Sequence, residues 1–260
     1  MRVGVVGAGV ASRSIARELL KRGDQVLILS PKPCHLPVLW RRLDVATGYG
    51  FEGAFAGLDA LVYGAWPKGV KKGMSVTYHG ATKVTDLAKK AGVNRTLILG
   101  PLGSSGAMSP PAFRGHSDLL LELTDQCVVH LPVLFGSDDH ITASWFSAAK
   151  AGRRVSLPKH EGVLRPLWTK DAGAAVVKIL DSDQQGLVEL TGPESVTLKE
   201  LSECWASGRS VKRSVIPSRL SKNTISLLAA QSDLDDRWLS MYNLPDTGVL
   251  RMSPKKWVAA

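Results

Sequence analysis

Cysteine is scarce in this sequence of 260 residues, and its scarcity excludes two classes of protein. The three cysteines, Cys34, Cys127 and Cys204, are odd in number and far apart in the chain. They form neither a disulfide framework nor the paired spacing of a metal cluster. The sequence therefore predicts no metal site, and it favours a reducing compartment, the cytoplasm.

Long apolar runs, repeats and low-complexity tracts are absent as well. No stretch reaches the ~18 apolar residues of a membrane span, so no transmembrane segment is predicted. The first predicted strand begins at residue 2, which leaves no room in this sequence for a signal or transit peptide. With 44% hydrophobic and 22% charged residues, the composition is that of a globular protein with one sizeable core.

Acidic residues are in deficit, with 23 Asp and Glu against 33 Lys and Arg, for a net charge of +10. The basic residues are dispersed in small clusters, and no aromatic-interleaved stripe or DNA-reading motif accompanies them. Specific nucleic-acid binding is therefore not predicted. The positive electrostatic field of these residues would attract an anionic cofactor or substrate. For most of them, however, the favoured interpretation is a solvated basic surface without a partner.

The strongest pattern lies at the start of the chain. The apolar run Arg2–Val6 leads into the turn Gly7–Ser12 and a helical pattern that Gly23 ends, and Gln25–Leu29 is a second apolar run. Ser12 stands in the third glycine position of G-x-G-x-x-G, where a small residue lets the helix pack on the strand. This order predicts a dinucleotide site at Gly7, Gly9, Val10 and Ser12. The alternative is a tight strand-to-helix turn with no ligand.

The end of the second apolar run bears on the choice of dinucleotide. NAD sites usually place Asp or Glu there, where the carboxylate binds the ribose hydroxyls. This chain has Ser30, Pro31 and Lys32 instead. Serine and lysine suit a 2′-phosphate better than a free hydroxyl, so NADP is favoured over NAD. The alternative is that Lys32 is an ordinary solvated loop residue.

Apolar runs and helical patterns alternate over most of the chain, which predicts a parallel sheet with helices on both faces. Further strands are predicted at 38–43, 58–65, 95–99, 127–135 and 186–190, and further helices at 75–91, 117–124 and 171–180. Later come a helix at 199–206, a strand-like piece at 210–216 and a polar helix near 233–236. The predicted fold is α/β, a doubly wound parallel sheet. Residues 1–170 form its dinucleotide-binding core, and residues 171–260 complete the sheet and add a smaller C-terminal α/β lobe for substrate, all as one compact unit.

Over about residues 1–205 the chain resembles the extended or atypical short-chain dehydrogenases/reductases, a group that includes sugar-nucleotide epimerases and NmrA-like proteins. Besides the glycine turn, four segments are similar to family motifs in order along the chain: Leu43–Val45, Val62–Ala65, Arg165–Ala172, and Leu190–Glu194 with Glu200 and Leu201. The resemblance implies a Rossmann-like fold. It also implies cofactor contacts at Asp44 and Val45, beside the adenine ring, and at Gly64 and Ala65.

The catalytic motif of the family is altered in this chain. Hydride chemistry in the family uses a tyrosine and a lysine four residues later, in the pattern Y-G-x-S-K-x-x-x-E. The matching segment runs from Arg114 to Glu122, with Arg114 in place of the tyrosine and Asp118 in place of the lysine. Arginine stays protonated and aspartate reverses the local charge, so the familiar dehydrogenase mechanism is not expected.

Two interpretations of the altered segment remain open. Arg114 and Asp118 are four residues apart on a predicted helix and can form a plain ion pair, the favoured interpretation. In the functional interpretation, Asp118 or His116 transfers a proton and Arg114 binds an anion. Ser104, a few residues past strand five, would then substitute for the serine of the family.

Two functions compete. The first is an enzyme that reduces, isomerises or cleaves a small molecule beside NADP, with an anionic substrate among the options. The second is a dinucleotide-binding protein without turnover, either a regulator or an assembly factor for a complex. The sequence does not decide whether the protein catalyses a reaction. It also leaves the oligomeric state open, with a homodimer as one possibility.

Overall fold

A seven-stranded parallel sheet is the centre of the fold in the computed structural model, which describes residues 1–66, 73–102, 122–123, 126–136, 163–197 and 200–201. Its strands are β1 (Arg2–Val6), β2 (Gln25–Ser30), β3 (Leu39–Arg42), β4 (Ala60–Tyr63), β5 (Arg95–Pro101), β6 (Cys127–Leu131) and β10 (Gly186–Glu189). They lie in the order β10-β6-β5-β4-β1-β2-β3, and every neighbouring pair is parallel.

Two further sheets consist of two short strands each. In one, β7 (Leu134–Phe135) pairs in parallel with β9 (Leu167–Trp168). In the other, β8 (Val163–Leu164) pairs antiparallel with β11 (Val196–Thr197). Both pairs belong to the carboxyl-terminal half of the described chain.

Helices cover both faces of the sheet, as the alternating pattern predicts. They are α1 (Val10–Lys21), α2 (Gly73–Thr77), α3 (His79–Lys90) and α4 (Thr169–Leu180). Apolar residues of α1 and α4 pack with one set of strand residues, and those of α3 pack with the alternate set. None of the helices described is long and apolar enough to cross a membrane.

The predicted helix 75–91 begins earlier and divides at Tyr78. The hydroxyl of Thr77 donates a hydrogen bond to the carbonyl oxygen of Gly73 at 2.9 Å. Thr82 makes the same kind of bond to the carbonyl oxygen of Tyr78 within α3, so this bond by itself does not account for the division. The predicted end of α3 is confirmed, because Gly92 follows it with φ of +81°, a conformation that favours glycine.

Several predicted strands are shorter than expected. The strand predicted at 58–65 covers only β4, and the one predicted at 127–135 ends at Leu131. Pro132 follows, and since proline has no N–H it cannot continue the ladder. The chain then enters β7, which belongs to a different sheet.

Helices α1 and α4 cross at a point without room for a side chain. The hydroxyl of Ser14 donates to the carbonyl oxygen of Thr169 at 2.5 Å. A Cβ on Gly173 would lie 2.6 Å from Ser14 Oγ and 2.8 Å from the Ser14 backbone. This contact and the parallel pairing of β10 with β6 place residues 169–189 on the central sheet. The predicted elements at 210–216 and near 233–236, and nearly all of those at 117–124 and 199–206, lie outside the described residues.

Candidate dinucleotide site

The sheet order creates a crevice at the carboxyl ends of β1 and β4. From β1 the chain first builds β2 and β3 on one side, and it then returns to build β4, β5 and β6 on the other side. Ligands of open α/β sheets bind at such a point, where the strand order reverses. The loops that follow β1, β2 and β4 therefore define the candidate site.

Gly7 brings two of these loops into direct backbone contact. It has φ of +101°, and its N–H donates to the carbonyl oxygen of Leu29 at 2.8 Å. A Cβ at this position would lie 2.7 Å from Gly64 O and 2.9 Å from Ala65 N. Neither the backbone conformation nor the space allows a side chain here.

Ser12 takes the third glycine position because its neighbour lacks a side chain. Ser12 is fully buried, and its hydroxyl donates to Gly64 O at 3.4 Å. A Cβ on Gly64 would lie only 2.6 Å from Ser12 Oγ. The tight packing that glycine usually provides on the helix is provided here by Gly64. The structure thus brings Gly7, Ser12, Gly64 and Ala65 together.

Gly9 and the start of α1 form a cradle that suits a phosphate group. Gly9 caps the helix in an extended conformation, with φ of −70° and ψ of −179°, and no side chain caps the first turn. A Cβ at Gly9 would meet nothing within 4 Å. The first turn, which begins at Val10, contains no acidic residue. Uncapped amides and the positive end of the helix dipole thus adjoin open space, a combination that favours an anion.

A cavity of about 390 Å³ lies beside this cradle. The residues around it come from the glycine turn, from α1 and from the loop after β2, and they are Ala8, Arg13, Arg17, Pro33, Cys34, His35 and Leu36. Nη1 of Arg13 donates to Ala8 O at 2.9 Å. Of the residues that the structure describes, two arginines and no acidic residue line the cavity, so its electrostatic field favours an anionic ligand.

The role of the two arginines was not predicted from the sequence. Arg13 and Arg17 fall in the polar part of the α1 pattern, where a solvated face is the ordinary interpretation. Their spacing of four residues, which places both side chains on one side of the helix, was the available signal. The loop 33–36 closes the cavity only through tertiary contact, and the sequence carries no sign of it.

Ser30 and Lys32 hold the turn that follows β2. Ser30 is buried; its hydroxyl donates to Lys32 O at 2.6 Å and accepts a hydrogen bond from Trp40 Nε1 at 3.2 Å. Lys32 is exposed. Of the two predicted residues, Lys32 thus carries a charge at the surface, whereas the hydroxyl of Ser30 already bonds within the protein.

Asp44 and Val45 follow β3 closely. The N–H of Leu43 donates to Ser30 O at 3.1 Å, which keeps this step beside the end of β2. Asp44 Oδ1 accepts from the N–H of Ala46 at 3.0 Å, and Val45 packs against the core on the α3 face. The contact of these two residues with an adenine ring stays a prediction.

Tyr63 ends β4 next to the site but belongs to the core. It is fully buried, and its hydroxyl donates to Val76 O at 2.5 Å. Burial raises the pKa of this phenol well above its usual range. Tyr63 is therefore unsuited to serve as an acid-base group.

The four predicted catalytic residues, Ser104, Arg114, His116 and Asp118, lie outside the described residues, so their proposed roles stay predictions. The end of their segment is described. The hydroxyl of Tyr78 donates to the carboxylate of Glu122, which places Glu122 beside the junction of α2 and α3.

A buried titratable pair was also not predicted. His130 Nδ1 lies 3.4 Å from Glu189 Oε1, at the carboxyl ends of β6 and β10. His130 is fully buried and Glu189 is 5% exposed. Within the described part of the chain, no group of three His, Cys, Asp or Glu residues comes together to hold a metal ion.

Known proteins resemble this chain in structure but not in sequence. No family model matches the chain, and no curated protein matches it by sequence. MoeE5 in complex with UDP-glucose and NAD is similar with a TM-score of 0.75 and 13% identity, over 100% of this chain and 96% of that one.

Two solved epimerase structures are similar in the same way. For the Thermotoga maritima UDP-glucose 4-epimerase with UDP-glucose, the TM-score is 0.73 and the identity 12%, over 85% of this chain and 87% of that one. For the Thermus thermophilus UDP-glucose 4-epimerase in complex with NAD, the values are 0.71 and 18%, over 100% of both chains. These likenesses confirm the predicted fold: the chain is a Rossmann-like α/β protein.

Proposed function

We propose that this protein binds a nicotinamide dinucleotide in the crevice between the β1, β2 and β4 loops. The observation that carries the proposal is the cradle at Gly9, where open space adjoins the uncapped start of α1. The pyrophosphate would lie there, and the arginine-lined cavity would take the adenosine end. MoeE5 and the Thermus epimerase, which share the fold, are in complex with NAD.

The charge of the cavity supports NADP(H) as the dinucleotide. The last residue of β2 is Ser30, not a carboxylate that would repel a 2′-phosphate. Arg13 and Arg17 line the cavity, and Lys32 lies in the same loop as its outer wall. Three cations in this region favour the extra phosphate of NADP(H) over the free hydroxyl of NAD(H).

The reaction that follows from this cofactor is reduction, isomerisation or lyase chemistry on a small molecule. A bound nicotinamide supplies a hydride donor or acceptor, and the protein supplies binding and orientation. Asp118, His116 or Ser104 would transfer the proton, and Arg114 would bind an anionic group of the substrate. Nucleotide sugars are the first class to test, because the MoeE5 and Thermotoga structures hold UDP-glucose.

The alternative is a dinucleotide-binding regulator or assembly factor without turnover. Two observations favour it. Arg114 and Asp118 replace the catalytic pair of the resembled family, and the tyrosine beside the candidate site, Tyr63, is buried with its hydroxyl bonded to the backbone.

Calorimetric titration with NADPH, NADP, NADH and NAD tests the binding proposal. We expect Gly9→Asp to abolish binding, because its carboxylate would occupy the phosphate cradle while capping α1 well. Lys32→Ala and Arg17→Ala should lower the affinity for NADPH about fivefold more than the affinity for NADH. Lys21→Ala is the matched control, since Lys21 lies one turn beyond Arg17 and pairs with Glu18. No binding of any of the four nucleotides by the wild-type protein would refute the proposal.

A second assay separates enzyme from binding protein. The nicotinamide absorbance and the products are followed with NADP(H) and a panel of UDP-sugars. An enzyme should lose turnover in His116→Ala and Asp118→Asn while its NADPH affinity stays the same. Unequal affinities for NADP and NADPH with no consumption of either would instead support the regulator.

A further inference from the structure

The turn after β2 is tied to the edge strand β3 through one buried hydroxyl. Ser30 Oγ donates to the carbonyl oxygen of Lys32 and accepts from the indole Nε1 of Trp40. On the backbone, Ser30 O accepts from the N–H of Leu43. The conformation of the Lys32 turn is therefore linked to Trp40, which lies farther along the chain on β3.

The same turn leads directly into the outer wall of the arginine-lined cavity. Residues Pro33–Leu36 line the cavity together with Arg13 and Arg17 of α1. Prolines at positions 31, 33 and 37 restrict φ along this loop. Proline fixes φ at these three positions, so the loop has less freedom to absorb a displacement at its start.

Packing in the hydrophobic core does not account for the tryptophan at position 40. Its side chain is 40% exposed, so much of the ring area remains in water. Tyrosine and tryptophan side chains at half-buried positions usually direct their polar group to a partner. Here the partner is the hydroxyl of Ser30, the last residue of β2.

We propose that Trp40 is a positioning residue for dinucleotide selection. Through Ser30 it holds the Lys32 turn and the 33–36 wall at the distance from Arg13 and Arg17 that a ribose 2′-phosphate needs. NADH has its adenosine in the same cavity but lacks that phosphate, so its binding depends less on this distance. The inference rests on the proposed dinucleotide function and gives Trp40 an indirect role in it, exerted through Ser30.

Three variants test the proposal. Trp40→Phe keeps an aromatic ring and removes the N–H donor, and Ser30→Ala removes the hydroxyl that links the two segments. Leu39→Ala is the matched control, because Leu39 precedes Trp40 on β3, is 60% exposed and points to the opposite face of the strand. The dissociation constants for NADPH and NADH are measured by calorimetry, and thermal unfolding of each free variant is recorded alongside.

We expect Trp40→Phe and Ser30→Ala to lower the affinity for NADPH by about two- to tenfold, which corresponds to the loss of one hydrogen bond. NADH affinity should stay within about twofold of the wild type, and Leu39→Ala should change neither. The ratio of the two affinities is the decisive readout, since a general loss of stability would lower both together.

Three results would overturn the inference. An unchanged ratio in Trp40→Phe, or an equal loss for both nucleotides, would show that Trp40 has no part in selection. An altered ratio in Ser30→Ala alone would assign selection to Ser30 without Trp40. If the wild-type protein binds neither nucleotide, the proposed function itself has failed, an outcome that the wild-type titration separates from the other two.

Discussion

Gly7 and Gly9 stand two residues apart in one turn, yet the structure predicts opposite consequences for replacing them with alanine. At Gly7 a methyl group meets backbone atoms of Gly64 and Ala65 below 3 Å, and φ is +101°. At Gly9 it meets nothing within 4 Å, and φ is −70°. Gly7→Ala should therefore damage the fold, whereas Gly9→Ala should damage only the binding site.

The cost of Gly7→Ala follows from two contributions. A left-handed conformation costs a non-glycine residue about 1–3 kcal/mol, and forcing a methyl group into closed space adds about 1–3 kcal/mol. The sum, roughly 2–6 kcal/mol, is a large part of the ~5–15 kcal/mol that stabilises a typical domain. With a urea dependence of about 3 kcal/mol per molar, the unfolding midpoint should fall by roughly 0.7–2 M.

Gly9→Ala should leave the free energy of unfolding within about 1 kcal/mol of the wild type. Alanine restricts the unfolded chain, which stabilises by about 0.4–1 kcal/mol, and it is a poorer helix cap than glycine by a similar amount. The methyl group would nevertheless occupy space that the proposed binding mode assigns to the pyrophosphate. NADPH affinity should fall at least tenfold, which corresponds to about 1.4 kcal/mol.

Urea unfolding followed by circular dichroism, together with calorimetric titration of NADPH, measures both effects. The reasoning about the two loops is refuted if Gly7→Ala unfolds at the midpoint of the wild type. The reasoning about the phosphate cradle is refuted if Gly9→Ala binds NADPH with unchanged affinity.

Three further predictions concern the core. Tyr63→Phe should cost about 1 kcal/mol in urea unfolding, because it removes the hydrogen bond to Val76 O, and NADPH affinity should stay within about twofold. Burial raises the pKa of the Cys127 thiol from 9.0 to about 11, with Arg95 opposing the change. Because the unfolded thiol ionises first, the free energy of unfolding should fall by about 2–3 kcal/mol as the pH rises from about 9 to about 11, and this component should be missing from Cys127→Ala. Gly173→Ala should destabilise the fold by about 1–3 kcal/mol through contact with Ser14; a wild-type midpoint would show that α1 and α4 can separate at no cost.

Much of the fold could be predicted from the sequence because its signals are local. The bounds of β1 agree with the apolar run Arg2–Val6, and α1 ends just before Gly23. Apolar periodicity and glycine positions are properties of adjacent residues, so they can be read without knowing the fold. The same holds for the turn Gly7–Ser12, in which Gly7 and Ser12 do come together with Gly64 and Ala65.

Other features could not be predicted, because they depend on particular side-chain contacts or on residues far apart in the chain. The division at Tyr78 has no signal in the apolar periodicity, and the burial of Tyr63 depends on what packs over β4. For Ser12, the missing third glycine is compensated by Gly64, 52 residues away.

The sequence by itself determined the strand–turn–helix unit that forms the phosphate cradle, since hydrophobic period, glycine conformation and helix capping act between near neighbours. The tertiary structure alone decided which charges surround the cavity and which hydroxyl shapes its wall. Arg13 and Arg17 line one cavity with the 33–36 loop, and Trp40 reaches Ser30, because parallel pairing places β2 between β1 and β3. That pairing is a property of the whole sheet, which no short stretch of sequence specifies.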